Sequence, residues 1–151
     1  MEKIYIDGDA CPVKHEIFRV AGRYGWVAVV VANGWMRLPE SPLIERVIVT
    51  EGLDRADDWI AERAGAGDVV VTSDVPLAER CVKAGTRVLS PTGRPFTEAS
   101  IGQDLAVRNL MTGLREAGEI SGGGRSFSKR DRSAFLIALD NAIQAIKRTG
   151  R

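Results

Sequence analysis

Five short stretches rich in valine and isoleucine, most of them followed by a segment of helical spacing, constrain this chain more than any other feature. Residues 3–6, 26–32, 46–50, 68–73 and 87–90 read as strands with few internal charges, as strands covered on both faces do. Residues 12–24 place Val13, Ile17, Val20 and Ala21 at helical spacing and stop at Gly25; residues 56–64 and 76–84 behave alike and stop at Gly65 and Gly85. Such alternation calls for an α/β fold, a mostly parallel sheet with helices on its faces. At 151 residues the chain fits one domain that needs neither disulfides nor a structural metal.

The alternation stops after residue 90. Residues 33–43, with Gly34, Pro39 and Pro42, read as a loop, and so do residues 90–95. Two helices are then expected, at about 98–117 with Ile101, Leu105, Leu110, Met111 and Leu114 on one side, and at about 129–147 with Phe135, Leu136, Leu139, Ile143 and Ile146. Ser128 and Asp131 form a capping box for the second. Its apolar stripe has to be buried, either on its own domain or on a second copy in a homodimer. The expected layout is an α/β core at 1–96 and a helical extension at 97–151. Between the two helices lies an arm at 120–128 containing Gly122, Gly123 and Gly124, a flexible linker or a loop whose amides approach a ligand.

Composition excludes several classes. No apolar run approaches the ~20 residues that span a bilayer, and Glu2 followed by a strand pattern resembles no signal peptide, so a cytoplasmic protein is expected. Cys11 and Cys81 match no zinc or disulfide spacing. The only histidine, His15, stands four residues after Cys11, but Pro12 begins the helix after that cysteine. A thiol nucleophile is therefore the weaker reading of the pair. The net charge of +1 divides unevenly: residues 1–119 hold 14 basic and 18 acidic residues, and residues 120–151 hold seven and two. An acidic body with a basic tail suits a metal site that receives a polyanion, and equally a solubilising terminus.

The acidic residues stand where α/β proteins do chemistry. Asp7 and Asp9 follow the first strand, Asp74 follows the fourth, and Asp54, Asp57 and Asp58 open a helix. In open parallel sheets, ligands bind outside the carboxyl ends of the strands, where the direction of the connections switches. If the first and fourth strands are neighbours, Asp7 and Asp74 face one crevice. Gathered carboxylates repel one another and resist dehydration, so they suit Mg2+ or Mn2+, which takes oxygen ligands and keeps several waters. Ions of this kind support phosphodiester hydrolysis. For any single aspartate, helix capping competes with this reading. A haloacid-dehalogenase-type phosphatase with Asp7 as nucleophile needs its acidic pair after a Ser or Thr and a lysine; Asp57 and Asp58 come before Ser73 and Lys83, in the wrong order.

Several motifs together, Asp7-Gly8-Asp9-Ala10-Cys11-Pro12, Val31-Ala32-Asn33, Gly52-Leu53-Asp54 through Asp57, Gly67 through Ala78, and Gly122-Gly123 through Arg130-Asp131-Arg132, resemble the YaiI/YqxD family of uncharacterised bacterial proteins. Gly8 stands where that family usually has alanine. The resemblance implies a PIN-like three-layer α/β/α fold, with five strands in the order 3-2-1-4-5 and two additional C-terminal helices. It makes the first and fourth strands neighbours and matches Asp7, Asp57 and Asp74 to the acidic positions of PIN-like nucleases. The expectation is a nuclease dependent on Mg2+ or Mn2+, acting on nucleic acid with RNA favoured. Asp7, Asp57 and Asp74 are its catalytic metal ligands, and Asp9 and Asp54 are supporting ones. Asn33, Arg125, Lys129, Arg130 and Arg132 are expected on the substrate. The alternative is a nucleic-acid or nucleotide binding protein that keeps the fold without turnover. Trp26, Trp35 and Trp59 are too scattered to form a stacking row.

Overall fold

The computed structural model describes residues 2–50, 55–118 and 127–149. The elements follow in the order β1 (Lys3–Asp7), α1 (Lys14–Tyr24), β2 (Val27–Ala32), β3 (Ile44–Ile48), α2 (Arg55–Arg63), β4 (Val69–Val71), α3 (Val75–Lys83), β5 (Arg87–Leu89), β6 (Pro95–Phe96), α4 (Glu98–Glu116) and α5 (Lys129–Arg148), with a 3-10 turn at Gly8–Ala10 after β1. The strands make one sheet in the order β3-β2-β1-β4-β5-β6. All pairs are parallel except β5 with β6. The expected order 3-2-1-4-5 holds, and the sixth strand is an addition.

Side chains alternate across the strands, so one run of β-branched residues fills two cores. Ile4, Ile6, Ala28, Val30, Val69 and Val71 face α1 and α5. Tyr5, Val29, Val31, Val70 and Val88 face α2, α3 and the first turn of α4. This gives three layers. Among the described residues no helix is long and apolar enough to cross a membrane.

Most element boundaries shift by one or two residues from expectation, and three differences have a local reason. The third strand is Ile44–Ile48 rather than 46–50. It pairs only with β2, and an edge strand open to solvent accepts charges such as Glu45 and Arg46 that a buried strand would exclude. The first helix begins at Lys14 rather than Pro12, because the 3-10 turn after Asp7 takes up the preceding residues. β6 begins at Pro95, the last residue of the segment read as a loop, and is only two residues long, too short for periodicity to register.

The turn joining β5 to β6 is closed by Gly93, whose φ is 88° and whose missing Cβ would lie 2.7 Å from the Ala134 carbonyl oxygen of α5. Only glycine fits there. The capping box expected at α5 is present: the Ser128 N–H donates to Asp131 Oδ2 at 2.9 Å, and the Asp131 N–H donates to Ser128 Oγ at 3.1 Å. The second helical stripe packs on its own domain, burying Phe135, Leu139 and Ile143 completely.

Candidate functional site

The direction of the strand connections switches between β1 and β4, so the crevice expected for a ligand opens above these two strands. Ile6 pairs with Val71, which brings the next residues, Asp7 and Thr72, side by side at the carboxyl end. The buried Thr72 hydroxyl donates to Asp7 Oδ2 at 3.0 Å and accepts the Asp74 N–H at 3.0 Å. Asp74 Oδ1 accepts the Leu77 N–H at 2.9 Å and caps α3. The capping role foreseen for a single aspartate is therefore real, and it leaves the other oxygen over. Among the described residues nothing donates to Asp7 Oδ1 or Asp74 Oδ2.

Asp9 sits on the 3-10 turn and accepts the backbone N–H of Asn33 at 3.1 Å, tying that turn to the end of β2. A Cβ at Gly8 would stand 2.7 Å from Val30 Cγ1 and 3.0 Å from the Val31 carbonyl oxygen, so the alanine usual at this position would need the Val30 side chain to shift. Asn33 thus meets the acidic group through its backbone, and its side chain is exposed.

Burial pushes the pKa of Asp7 above the usual carboxylate range; the charges of Asp74 and Asp9 push it further, and the Thr72 hydrogen bond partly offsets them. Among the described residues no lysine or arginine pairs with Asp7, Asp9 or Asp74. A partly desolvated carboxylate beside two like charges, without a counter-cation, fits a site that takes a cation from solution. Its donors are all oxygens, the set that Mg2+ and Mn2+ accept.

The remaining candidates divide. Asp57 lies in the first turn of α2, half-buried, and its charge acts on Arg80 and Cys81. Its neighbour Asp58 binds Arg80 at 2.8 Å. Asp54 and Arg125 lie outside the described residues, as does most of the glycine arm. Among the described residues no three acidic, histidine or cysteine side chains converge closely enough to enclose a metal ion by themselves.

Lys129 and Arg130 are exposed in the first turn of α5. Arg132 is engaged: its Nη1 donates to the Pro12 carbonyl at 2.8 Å and lies 3.3 Å from Glu16 Oε1, while its guanidinium rests 4.9 Å from the centre of the Phe127 ring. It docks the first turn of α5 on the start of α1. Cys11 is buried, and burial raises its thiol pKa. Burial pushes Cys81 up to about 11. Neither is an activated nucleophile, and His15 is exposed with its ring edge-on to Phe18.

Two sets of residues escape a reading by motif. Thr72 lies within a strand motif, although its spacing of two from Asp74 is that of a side chain turning back on its own helix cap. Arg94, Arg108 and Arg115 are dispersed along the chain, yet 108 and 115 stand two helical turns apart on one face.

A family profile described as the uncharacterised YaiI/YqxD family matches residues 5–145. A UPF0178 protein of Rhodopseudomonas palustris (strain BisB18) is 64% identical over 149 residues, which are 99% of this chain and 96% of the relative. A UPF0178 protein of Nitrobacter winogradskyi is 63% identical over 97% of this chain and 93% of its own length. One from Bradyrhizobium diazoefficiens is 63% identical over 97% of this chain and 87% of its own. No solved structure matches the chain.

Proposed function

Given that the chain belongs to the uncharacterised YaiI/YqxD family, we propose that it is a phosphodiester hydrolase dependent on Mg2+ or Mn2+ that cleaves nucleic acid, RNA in preference, in the manner of PIN-like nucleases. The observation that carries this reading is the uncompensated group at the β1/β4 switch point: Asp7 and Asp74 joined through Thr72, Asp9 beside them, and no basic partner among the described residues.

In this reading Asp7 Oδ1 and Asp74 Oδ2 offer the first two ligands, and Asp57, Asp9 and Asp54 supply or orient the rest, directly or through water. A divalent ion held there would lower the pKa of a water and polarise a phosphoryl oxygen. Thr72 fixes the rotamer of Asp7 by occupying its second oxygen, and the Leu77 amide does the same for Asp74. Lys129, Arg130 and Arg125 hold phosphates, while Arg132 positions the helix that presents them. The test is cleavage of single-stranded RNA with Mn2+, compared between wild type and Asp7→Asn. Cleavage that depends on the ion and vanishes in the folded variant supports the proposal. Cleavage that survives the substitution, or excess chelator, overturns it.

A second reading, binding without turnover, draws on the absence of three converging ligands among the described residues. It expects salt-dependent nucleic-acid binding, weakened by Arg130→Ala, with no cleavage at any concentration of Mn2+.

A further inference from the structure

Beside the acidic group runs a groove of about 620 Å³, walled on one side by Ser73 and Val75, the residues flanking Asp74, and on the other by α4. From these features we infer that it is a track for single-stranded nucleic acid leading into the Asp7/Asp74 crevice, with Arg94, Arg108 and Arg115 on its phosphates. The inference rests on the proposed function for what the track feeds, and on the groove alone for what it binds.

Charge and spacing identify the occupant. Three guanidinium groups line the groove against one carboxylate, Asp104. Arg94 is bonded to Asp104 Oδ1, which holds its guanidinium in the wall. Arg108 and Arg115 pair with no carboxylate among the described residues; Arg108 donates only to the neighbouring Asn109 amide oxygen. Their side chains are seven residues apart, roughly 10 Å along the helix axis at 1.5 Å per residue, which suits separate, non-adjacent phosphates of a chain better than one isolated anion.

Part of the wall is apolar: Val107 and Met111 line the same groove beside the polar Ser100 and Gln103, and Val107 is half-exposed. Such surface lets bases bury area whatever their sequence, without the aromatic stacking that single-strand binding proteins use. Continuity with Asp74 makes the direction of the track definite: a strand lying along α4 meets the carboxylates at the β4 end.

The experiment measures fluorescence anisotropy of a labelled single-stranded oligoribonucleotide in excess chelator, where no metal-dependent cleavage occurs. Arg108→Ala/Arg115→Ala removes two exposed cations without touching the core. It is expected to bind roughly tenfold more weakly or worse, with a salt dependence shallower by about one to two charges. Arg19→Ala/Arg23→Ala on α1 removes the same charge elsewhere, and its expected change is within about twofold, since screening limits distant charges.

No binding by the wild type, equal weakening in the two double variants, or unchanged binding in Arg108→Ala/Arg115→Ala overturns the track. A double variant that turns a dimer into a monomer with binding unchanged also overturns it, and assigns the face to a second copy. Binding through the groove in a protein that never cleaves refutes the hydrolase reading and leaves the track standing. Cleavage that is indifferent to Arg108 and Arg115 does the reverse.

Discussion

The two C-terminal helices invite direct comparison. α4 has 19 residues and α5 has 20, and each opens with a capping box, Thr97 with Ser100 and Ser128 with Asp131. Each also carries an apolar stripe. Yet α5 buries Phe135, Leu139, Ala142, Ile143 and Ile146, whereas in α4 only Ile101 and Asp104 are buried and Leu110 is 61% exposed. α5 lies in a trough between α1 and the sheet, and the hydroxyl of Tyr24 bonds to Asp140 along its length. α4 begins against α3 and then leaves most of its length in water. An amphipathic stripe thus states what a helix is able to bury, and its neighbours decide whether it does. α5 is anchored along its stripe and exposes Lys129 and Arg130 in its first turn, whereas α4 leaves most of its surface in water.

The comparison breaks most readily at the cores. Phe135→Ala is expected to lower unfolding free energy by about 3–5 kcal/mol, while Leu110→Ala shifts it by no more than about 0.5 kcal/mol; urea denaturation of both would show it, and equal losses would mean that α4 is buried after all. Next in size is Gly93→Ala. A side chain at positive φ costs about 1–3 kcal/mol, and the contact with the Ala134 carbonyl adds strain that pushes α5 outward, visible as a lower denaturation midpoint and faster amide exchange in the first half of that helix.

Asp7→Asn is expected to stabilise the protein at neutral pH, because it removes a partly desolvated charge that two other carboxylates repel. The sign follows from linkage. The folded protein holds the Asp7 proton more tightly than the ordinary value of 3.8 allows, so that favourable contribution is complete below 3.8 and is lost as pH rises through the raised pKa. Wild type should therefore fall behind Asp7→Asn as pH climbs toward neutrality. Adding Mn2+ should raise the melting temperature of wild type and not that of the variant; an equal rise in both would place the ion elsewhere. Among the losses, a small one belongs to Arg132→Ala, about 0.5–1 kcal/mol for a half-exposed ion pair, with amide protection lost first at the N-terminus of α5.

Much of this architecture is readable from the chain. The continuous valine runs of β2 and β4 are recognisable because strands covered on both faces exclude charge, and the glycines ending the helices because a left-handed residue favours glycine, as at Gly25 with φ 72°. The two ends of the sheet are less legible. β3 mixes charges into an edge strand, and β6 is two residues that pair only because β5 is already in place. Of the acidic candidates, the structure brings Asp7, Asp9 and Asp74 together and places Asp57 at the start of α2.

What the sequence alone determined is local in origin: the α/β class, the two C-terminal helices with the cap on α5, and the aspartates at the ends of the first and fourth strands, all set by spacing along the chain. The tertiary structure decided what depends on partners distant in sequence. Register across β1 and β4 brings Thr72 from 65 residues away onto Asp7. Packing on α1 buries α5 and leaves α4 open. Side-chain periodicity specifies which face of an element is apolar; the order and register of the sheet specify what that face meets, because burial is a property of two surfaces together.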